Sequence, residues 1–247
     1  MSSGGDDSKV VKIRPDIYQI RSEKPGSHVY VIKGTNKNVM IDTGMTANFT
    51  LLTQRLGEIG LAQSDINLII LTHEHFDHIG ATTFFFDTAI VCAHRLAANK
   101  IELQDEFVTG NKYNNVPCKP FHAHMWLEND TLIELGNHRL RAVHTPGHTS
   151  GCLCLYEPDE RLLFTGDTVF AGGTLSGIFT SGNISDYMNS LLRLSTLRVD
   201  EFYPGHGWPS TTPESDMRAA VGQARALFED SKILFEALTK RGIQSTD

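Results

Sequence analysis

Histidines and one aspartate at a fixed spacing are the chemically most informative residues of this chain. The segment 73–78 reads HEHFDH and brings together His73, His75, Asp77 and His78. With 11 histidines in 247 residues, this spacing would arise by chance on the order of one time in a thousand. Imidazole and carboxylate are ligands of zinc and non-haem iron, and no thiolate is placed here to close a structural site. The motif therefore predicts a metal site.

Three later segments carry further candidates of the same chemical kind. His148 lies in TPGHT, Asp167 ends FTGD, and His206 lies in YPGHG. Each follows a predicted strand, where open α/β sheets place their sites, and each has a glycine beside it that permits close backbone approach. The carboxylate of Asp167 is able to bridge two cations. Each segment alone is equally typical of an ordinary turn, but their combination with the motif at 73–78 favours a metal centre.

The other histidines are interpreted one by one. A lone histidine is usually a surface residue or a satisfied core residue, and His28, His94 and His138 are interpreted in that way. His122 and His124 have a ligand-like spacing, but a solvated loop explains them more simply. None of these five is assigned to the metal centre.

Strands and helices alternate along the chain. Strands are predicted at 10–20, 28–33, 39–41, 67–71, 89–93, 131–135, 139–144, 151–156 and 162–165. Helices are predicted from the N-cap Thr46 to Gly60, near 95–104, around 184–192 and over 213–241. This order predicts an α/β fold, a four-layer αββα sandwich of two packed sheets with helices outside. The pattern by itself leaves two separate domains open.

Length and composition limit the remaining classes. The 247 residues suit one large domain over 10–247 after a flexible leader at 1–9. A formal charge of −7 argues against nucleic-acid binding, and no apolar run approaches the roughly 18 residues of a membrane span. Four dispersed cysteines indicate no disulfide scaffold. We expect a reduced, cytoplasmic protein without nucleic-acid or membrane partners.

The segment 105–125 has no clear period and is interpreted as an inserted loop. Such loops usually carry variable function on a fixed scaffold, so this one is expected to overhang the cleft and to shape specificity. Its candidate pocket walls are Phe107, Tyr113, Phe121 and His122. The amphipathic helix 213–241 is expected to cover a sheet or to contribute to a homodimer.

From about residue 10 to residue 209, the chain resembles the metallo-β-lactamase superfamily. The resemblance is carried by IDTG with Asp42, then HEHFDH, TPGHT, FTGD and YPGHG, in the order of the family's motifs. It implies the αββα fold with a metal pair between the two sheets, and Asp42 would orient a ligand through a hydrogen bond. The implied ligands are His73, His75 and His148 for the first ion, Asp77, His78 and His206 for the second, and Asp167 for both.

The implied chemistry is hydrolysis by a metal-activated water. Two divalent ions, expected to be zinc with iron or manganese as alternatives, lower the pKa of a shared water towards about 7. The hydroxide attacks a carbonyl, and Asp77 has a secondary role as acceptor of the water's proton. The segments TPGHTSGC and FTGDTVF are similar to those of glyoxalase II-type thioesterases. A thiolate leaves without strong acid assistance, so a small-molecule acyl thioester is the expected substrate.

Three alternative functions stay open at this stage. A lactonase or β-lactamase-type hydrolase would use the same site, although lactonases usually have a tyrosine where this chain has Phe170, itself a candidate pocket residue. A persulfide dioxygenase would bind one iron, but it usually carries an arginine where this chain reads AGGT at 171–174. A non-enzymatic metal-binding or redox module is the third alternative. Cys152 and Cys154 alternate on one strand, which a buried apolar pair explains more simply than a redox site.

Overall fold

The strands of the protein form two sheets in a computed structural model that describes residues 9–22, 25–114 and 119–243, without the side chains of 113–114 and 233–243. The first sheet has seven strands in chain order: β1 (Val10–Arg14), β2 (Ile17–Ile20), β3 (Val29–Lys33), β4 (Asn38–Ile41), β5 (Ile66–Leu71), β6 (Ile90–His94) and β7 (Met125–Leu127). The second has five: β8 (Leu132–Glu134), β9 (Arg139–His144), β10 (Leu153–Glu157), β11 (Leu162–Gly166) and β12 (Glu201–Pro204), which also neighbour one another in this order. The helices are α1 (Phe49–Glu58), α2 (Phe76–Ile79), α3 (Arg95–Glu102), α4 (Asn111–Asn114), α5 (Ile184–Leu194) and α6 (Pro213–Ile243).

The strands are apolar on both faces, and each face belongs to a different core. Adjacent residues of a strand lie on opposite faces of its sheet. Ile41 of β4 packs between the two sheets with Leu155 of β10 and Phe164 of β11. Its neighbour Met40 packs on the outer face of the first sheet, and Leu163 packs on the outer face of the second. Such two-sided burial explains why these strands are nearly continuous apolar runs.

Helices cover both outer faces. Leu56 of α1 and Ile101 of α3 pack in the outer core of the first sheet. Leu191 of α5 and Ala220 of α6 pack in the outer core of the second sheet. The layers therefore follow the order helix, sheet, sheet, helix, which confirms the predicted four-layer αββα sandwich.

Two local predictions near the N-terminus are wrong. The segment 10–20 is two strands, because the chain turns at Pro15 and Asp16 and β1 pairs with β2 in an antiparallel manner. Proline favours such a turn through its fixed φ. Thr46 does not cap α1: it begins a 3₁₀ turn, and its hydroxyl donates to the carbonyl of Gly80 at 2.7 Å. A tertiary contact thus takes the hydroxyl that the local pattern assigned to a helix end.

The segment 105–125 is only partly a loop. It contains α4, and it ends in β7, which pairs in parallel with β6 at the edge of the first sheet. The predicted helix 213–241 is observed as α6, and α5 matches the predicted helix near 184–192. Among the described residues, no helix is both long enough and apolar enough to cross a membrane.

The sheet–sheet core predicts a large stability difference between two leucines of the second sheet. Leu155 is fully buried between the sheets, whereas Leu132 on β8 is 59% exposed. Replacing Leu155 by alanine removes buried methyl groups and leaves a cavity, so we expect the free energy of unfolding to fall by about 2–5 kcal/mol. The matched change Leu132→Ala is expected to stay within about 0.5 kcal/mol. Urea unfolding of both variants measures the difference, and equal losses would contradict the assignment of this core.

Candidate metal centre

The candidate ligands follow strands of both sheets at one edge of the sandwich. His73 and His75 follow β5, and His206 follows β12. Asp167 follows β11, which pairs in parallel with β12, so both strands end at the same edge of the sheet. Residue 205 is a glycine in a position without room for a side chain, because a Cβ there would lie 2.5 Å from Asp167 Oδ1. The two sheets therefore supply ligands to one common cleft.

The first group consists of three buried imidazoles. The Nδ1 atom of His75 lies 3.0 Å from His73 Nε2 and 3.0 Å from His148 Nε2. The Nδ1–H of His148 donates to the carbonyl of Gly177, which leaves the lone pair of Nε2 free for a cation. All three ligand atoms lie within 4.8 Å of one another. Three nitrogens that converge in this way match a cation site with imidazole ligands.

The second group adds carboxylates. His206 Nε2 lies 3.0 Å from Asp77 Oδ2, and His78 Nε2 lies 3.7 Å from the same oxygen. Asp167 lies between the two groups: Oδ1 is 3.4 Å from His78 Nε2, and Oδ2 is 4.0 Å from His148 Nε2. The structure thus brings all seven candidate ligands together, with Asp167 in the position of a shared carboxylate.

Two candidate ligand atoms of the centre are buried without a hydrogen bond. Among the described residues, these are His78 Nε2 and Asp167 Oδ1. Burying a polar atom without a partner costs free energy, so native proteins seldom leave such atoms unpaired. Orphaned nitrogen and oxygen atoms of this kind fit divalent cations. The donor set of imidazoles and carboxylates suits zinc, iron or manganese.

Burial keeps most of the imidazoles uncharged. It lowers the pKa of His75 to about 3, with the neighbouring imidazoles acting in the same direction, and it also lowers the pKa values of His73 and His148. Burial acts in the same direction on His78, but the surrounding carboxylates of Asp167, Asp77 and Asp42 raise its pKa well above the ordinary value. The first group therefore offers neutral nitrogens, and the second group combines carboxylate charge with an imidazole whose protonated form that charge favours.

Asp42 fixes the segment 72–78 through hydrogen bonds to both of its ends. Its Oδ1 accepts from the backbone N–H of Thr72, and its Oδ2 accepts from the Thr72 hydroxyl, each at 2.7 Å. Oδ2 also lies 2.8 Å from His78 Nδ1, which donates to it and directs Nε2 towards the other ligands. The residue adopts φ = 58°, a left-handed conformation that aspartate tolerates better than most residues. This geometry agrees with the orienting role that the sequence resemblance implies.

A second carboxylate supports the motif, and sequence reasoning did not assign it a role. Glu74 is fully buried between the two ligand histidines of the first motif. It accepts from Lys100 Nζ at 3.0 Å and from the Thr149 hydroxyl at 2.9 Å. These bonds connect the loop of His75 to the loop of His148. A charged residue inside a buried motif was the signal that could have revealed it.

Two more residues next to the centre had no signal in the sequence. The ring of Phe179 lies 4.4 Å from the ring of His75, although 171–182 shows no periodic pattern. His28 contacts the loop of His206: its Nε2–H donates to the carbonyl of Gly207 at 2.9 Å. Only the tertiary structure brings these side chains to the cleft.

The predicted pocket residues are placed unevenly. The ring of Phe170 lies 6.4 Å from that of His206, and Phe107 is exposed in the loop that precedes α4. Phe121 is misassigned: it is 6% exposed in the outer core of the first sheet, because 119–127 runs along that sheet to β7. His122 contacts Phe86 of the same layer, with ring centres 5.8 Å apart. The side chain of Tyr113 lies outside the described part of the chain.

Comparison with known proteins agrees with this geometry. A relative from Methanocaldococcus jannaschii, named as a probable metallo-hydrolase, is 32% identical over 191 residues, which are 73% of this chain and 87% of that protein. The acyl-coenzyme A thioesterase MBLAC2 of Gallus gallus is 28% identical over 202 residues, which are 73% of this chain and 72% of the relative.

The fold has solved counterparts as well. A metallo-beta-lactamase family protein of Thermus thermophilus superposes with a TM-score of 0.74 at 24% identity, over 89% of this chain and 82% of that chain. The model of the metallo-beta-lactamase superfamily matches residues 24–206, a range that contains all seven candidate ligands. The chain therefore belongs to the metallo-beta-lactamase superfamily.

Proposed function

We propose that this protein is a dinuclear metal-dependent hydrolase that acts on a small-molecule acyl thioester. The convergence of seven ligand-type side chains from both sheets carries the proposal. The ligand atoms lie within 4.8 Å of one another inside each of three overlapping sets: His73, His75 and His148; His73, His78 and Asp167; and Asp77, His78 and His206. The relative from Gallus gallus that is named as an acyl-coenzyme A thioesterase supports the choice of a thioester.

The side chains present fit two divalent ions, and we propose zinc. Imidazole and carboxylate ligands without a thiolate suit catalytic rather than structural sites of this metal. When bound, such ions polarise a carbonyl group and lower the pKa of water towards neutrality. The first ion would be held by His73, His75 and His148, the second by Asp77, His78 and His206, and both by Asp167.

Asp77 is the proposed proton acceptor of the reaction. Burial raises the pKa of this carboxyl, but the imidazoles of His78 and His206 outweigh burial and bring the pKa below its ordinary value. Asp77 is therefore a carboxylate at neutral pH. Its side chain is 13% exposed, so a water molecule is able to approach it. The carboxylate takes the proton of the attacking water and delivers it to the leaving sulfur.

Phe170 favours a thioester over a lactone. Its ring lies 6.4 Å from that of His206 and offers no hydroxyl group. An alkoxide is a poorer leaving group than a thiolate and gains more from a hydrogen-bond donor beside the leaving atom. A thioester needs no such donor at this position.

The thiols near the centre do not favour a redox function. Cys152 and Cys154 are both buried. Burial raises the pKa of Cys154 to about 11 and raises that of Cys152 further. These cysteines therefore stay protonated at neutral pH, whereas a redox thiol needs an accessible thiolate.

The number of candidate ligands does not favour the persulfide alternative. The second ligand group, with Asp77 and His206, supplies more ligands than a single iron requires.

Asp42 provides a test of metal binding. Replacing Asp42 by alanine removes the acceptor of His78 Nδ1, so we expect the affinity for one ion to fall by about 10- to 100-fold. Competition with a chromophoric chelator measures this affinity. Asp159→Ala, at a residue whose side chain is 63% exposed, is the control and is expected to leave metal binding unchanged. Equal affinities of the two variants would contradict the orienting role of Asp42.

Hydrolysis of thioesters provides the test of the proposed activity. We expect two zinc ions per chain by elemental analysis, and turnover of acyl thioesters in a panel that also contains lactones, β-lactams and phosphodiesters. Chelation should abolish turnover, and His75→Ala should lower kcat/KM by about 10²-fold or more because a ligand of the centre is lost. His124→Ala is the control: it replaces an exposed histidine that is not a candidate ligand, so kcat/KM should stay unchanged.

Three results would count against this proposal. Turnover that survives complete removal of metal would exclude the metal-dependent mechanism. A preference for lactones would replace the substrate class but keep the metal centre. A single iron together with oxygen consumption would indicate the persulfide alternative instead.

A further inference from the structure

Hydrogen bonds hold the loop at 174–182 against the first ligand group. The carbonyl of Gly177 accepts from His148 Nδ1, and the N–H of Phe179 donates to the His148 carbonyl at 2.9 Å. The hydroxyl of Ser181 donates to Glu74 at 3.3 Å. The loop therefore has a defined position relative to the ligands, although it has no regular secondary structure.

Two consecutive large apolar side chains of this loop are open to solvent, and the ring of one of them lies beside the centre. Phe179 is 39% exposed and Ile178 is 42% exposed. The Phe179 ring lies 4.4 Å from the ring of His75 and 5.2 Å from the ring of His148. Single exposed apolar residues are common on protein surfaces. Phe179 differs because its ring, on a loop held by hydrogen bonds, adjoins candidate ligands of the centre, where a substrate carbonyl would lie.

We propose that Phe179 and Ile178 form the surface on which the acyl chain of the substrate lies. This inference rests on the proposed thioesterase function. A carbonyl bound at the centre carries its chain away within a few ångströms of His75, and the Phe179 ring is the apolar face available there. Burial of each methylene on this face contributes to binding, so the substrate class is a thioester with an extended apolar acyl chain.

Chain-length dependence tests this acyl surface. With thioesters of one thiol and acyl chains of two to ten carbons, we expect kcat/KM of the wild-type protein to rise about twofold per methylene, because a methylene on this open face is only partly removed from water. Phe179→Ser should flatten this dependence and leave the metal content unchanged. Phe179→Leu, which keeps an apolar side chain, should restore most of it. A flat profile in the wild-type protein, or an unchanged slope in Phe179→Ser, would overturn the inference while the thioesterase function stands.

A binding measurement separates the two proposals. Calorimetry with acetate, hexanoate and decanoate, the product class, reports the same chain-length dependence without turnover. If no thioester is hydrolysed, the proposed function fails, and the carboxylate series still decides the acyl surface. Affinities that do not rise with chain length would overturn it.

A different observation concerns His28 and the last ligand. The backbone N–H of His28 donates to the carbonyl of Gly205 at 2.7 Å, and its Nε2–H donates to the carbonyl of Gly207 at 2.9 Å. His28 Nδ1 accepts from the N–H of Ser22 at 3.1 Å, which fixes the proton on Nε2. One residue thus holds the carbonyl groups of both glycines that flank His206.

We infer that His28 is a positioning residue for the second ion. Glycines on both sides leave the backbone of 205–207 free to adopt many conformations, and residue 207 has φ = 79°. The two hydrogen bonds from His28 select one of them and direct His206 towards Asp77. Loss of the ring should therefore affect the second ligand group and spare the first.

Stepwise titration with Co²⁺ tests this role, because the visible spectrum reports each ion separately. We expect His28→Ala to weaken the second binding step by about 10- to 100-fold and to leave the first step unchanged. His28→Gln keeps a donor at the position of Nε2 and should restore the second step. Equal weakening of both steps, failure of the glutamine variant to restore the second step, or fewer than two ions on the wild-type protein would overturn the inference.

Discussion

The convergence of buried imidazole nitrogens is the constraint on which the rest of the structure depends. His75 lies 3.0 Å from two other imidazoles, and one ligand nitrogen and one carboxylate oxygen have no hydrogen-bond partner among the described residues. Such an arrangement is unfavourable by itself, because desolvated polar atoms lose their hydrogen bonds to water. It requires a scaffold that holds each ring in place, and a cation that satisfies the converging atoms.

Three side chains hold this arrangement, and each one connects different parts of the fold. Asp42, at the end of β4, fixes the motif that follows β5. Glu74 connects that motif to the loop of His148, through Thr149. His28, at the start of β3, holds the loop after β12. The two sheets are therefore joined by these polar contacts at the centre as well as by the apolar core between them.

The centre is asymmetric in charge and in access. The first group has neutral imidazoles deep in the cleft, where His73 is fully buried. The second group carries the carboxylate of Asp77, and the side chain of His206 is 34% exposed. The apolar ring of Phe179 borders the first group. A substrate with one apolar end and one polar end would thus meet different surroundings on the two sides of the centre.

The amino-acid sequence alone, through its motifs and their family resemblance, determined the candidate ligand set and predicted the layer order that the structure shows. HEHFDH and the three segments with a glycine beside the candidate ligand are local sequence patterns. The order of strands and helices can be predicted because the spacing of apolar residues differs between the two kinds of element. The supporting residues could not be found in this way. His28 is 178 positions from His206, and Phe121 has the same aromatic character as Phe179 although one is buried in a core and the other lies beside the centre. Only the packing of the two sheets decides which side chains meet, because contacts between distant segments depend on register and loop path rather than on local pattern.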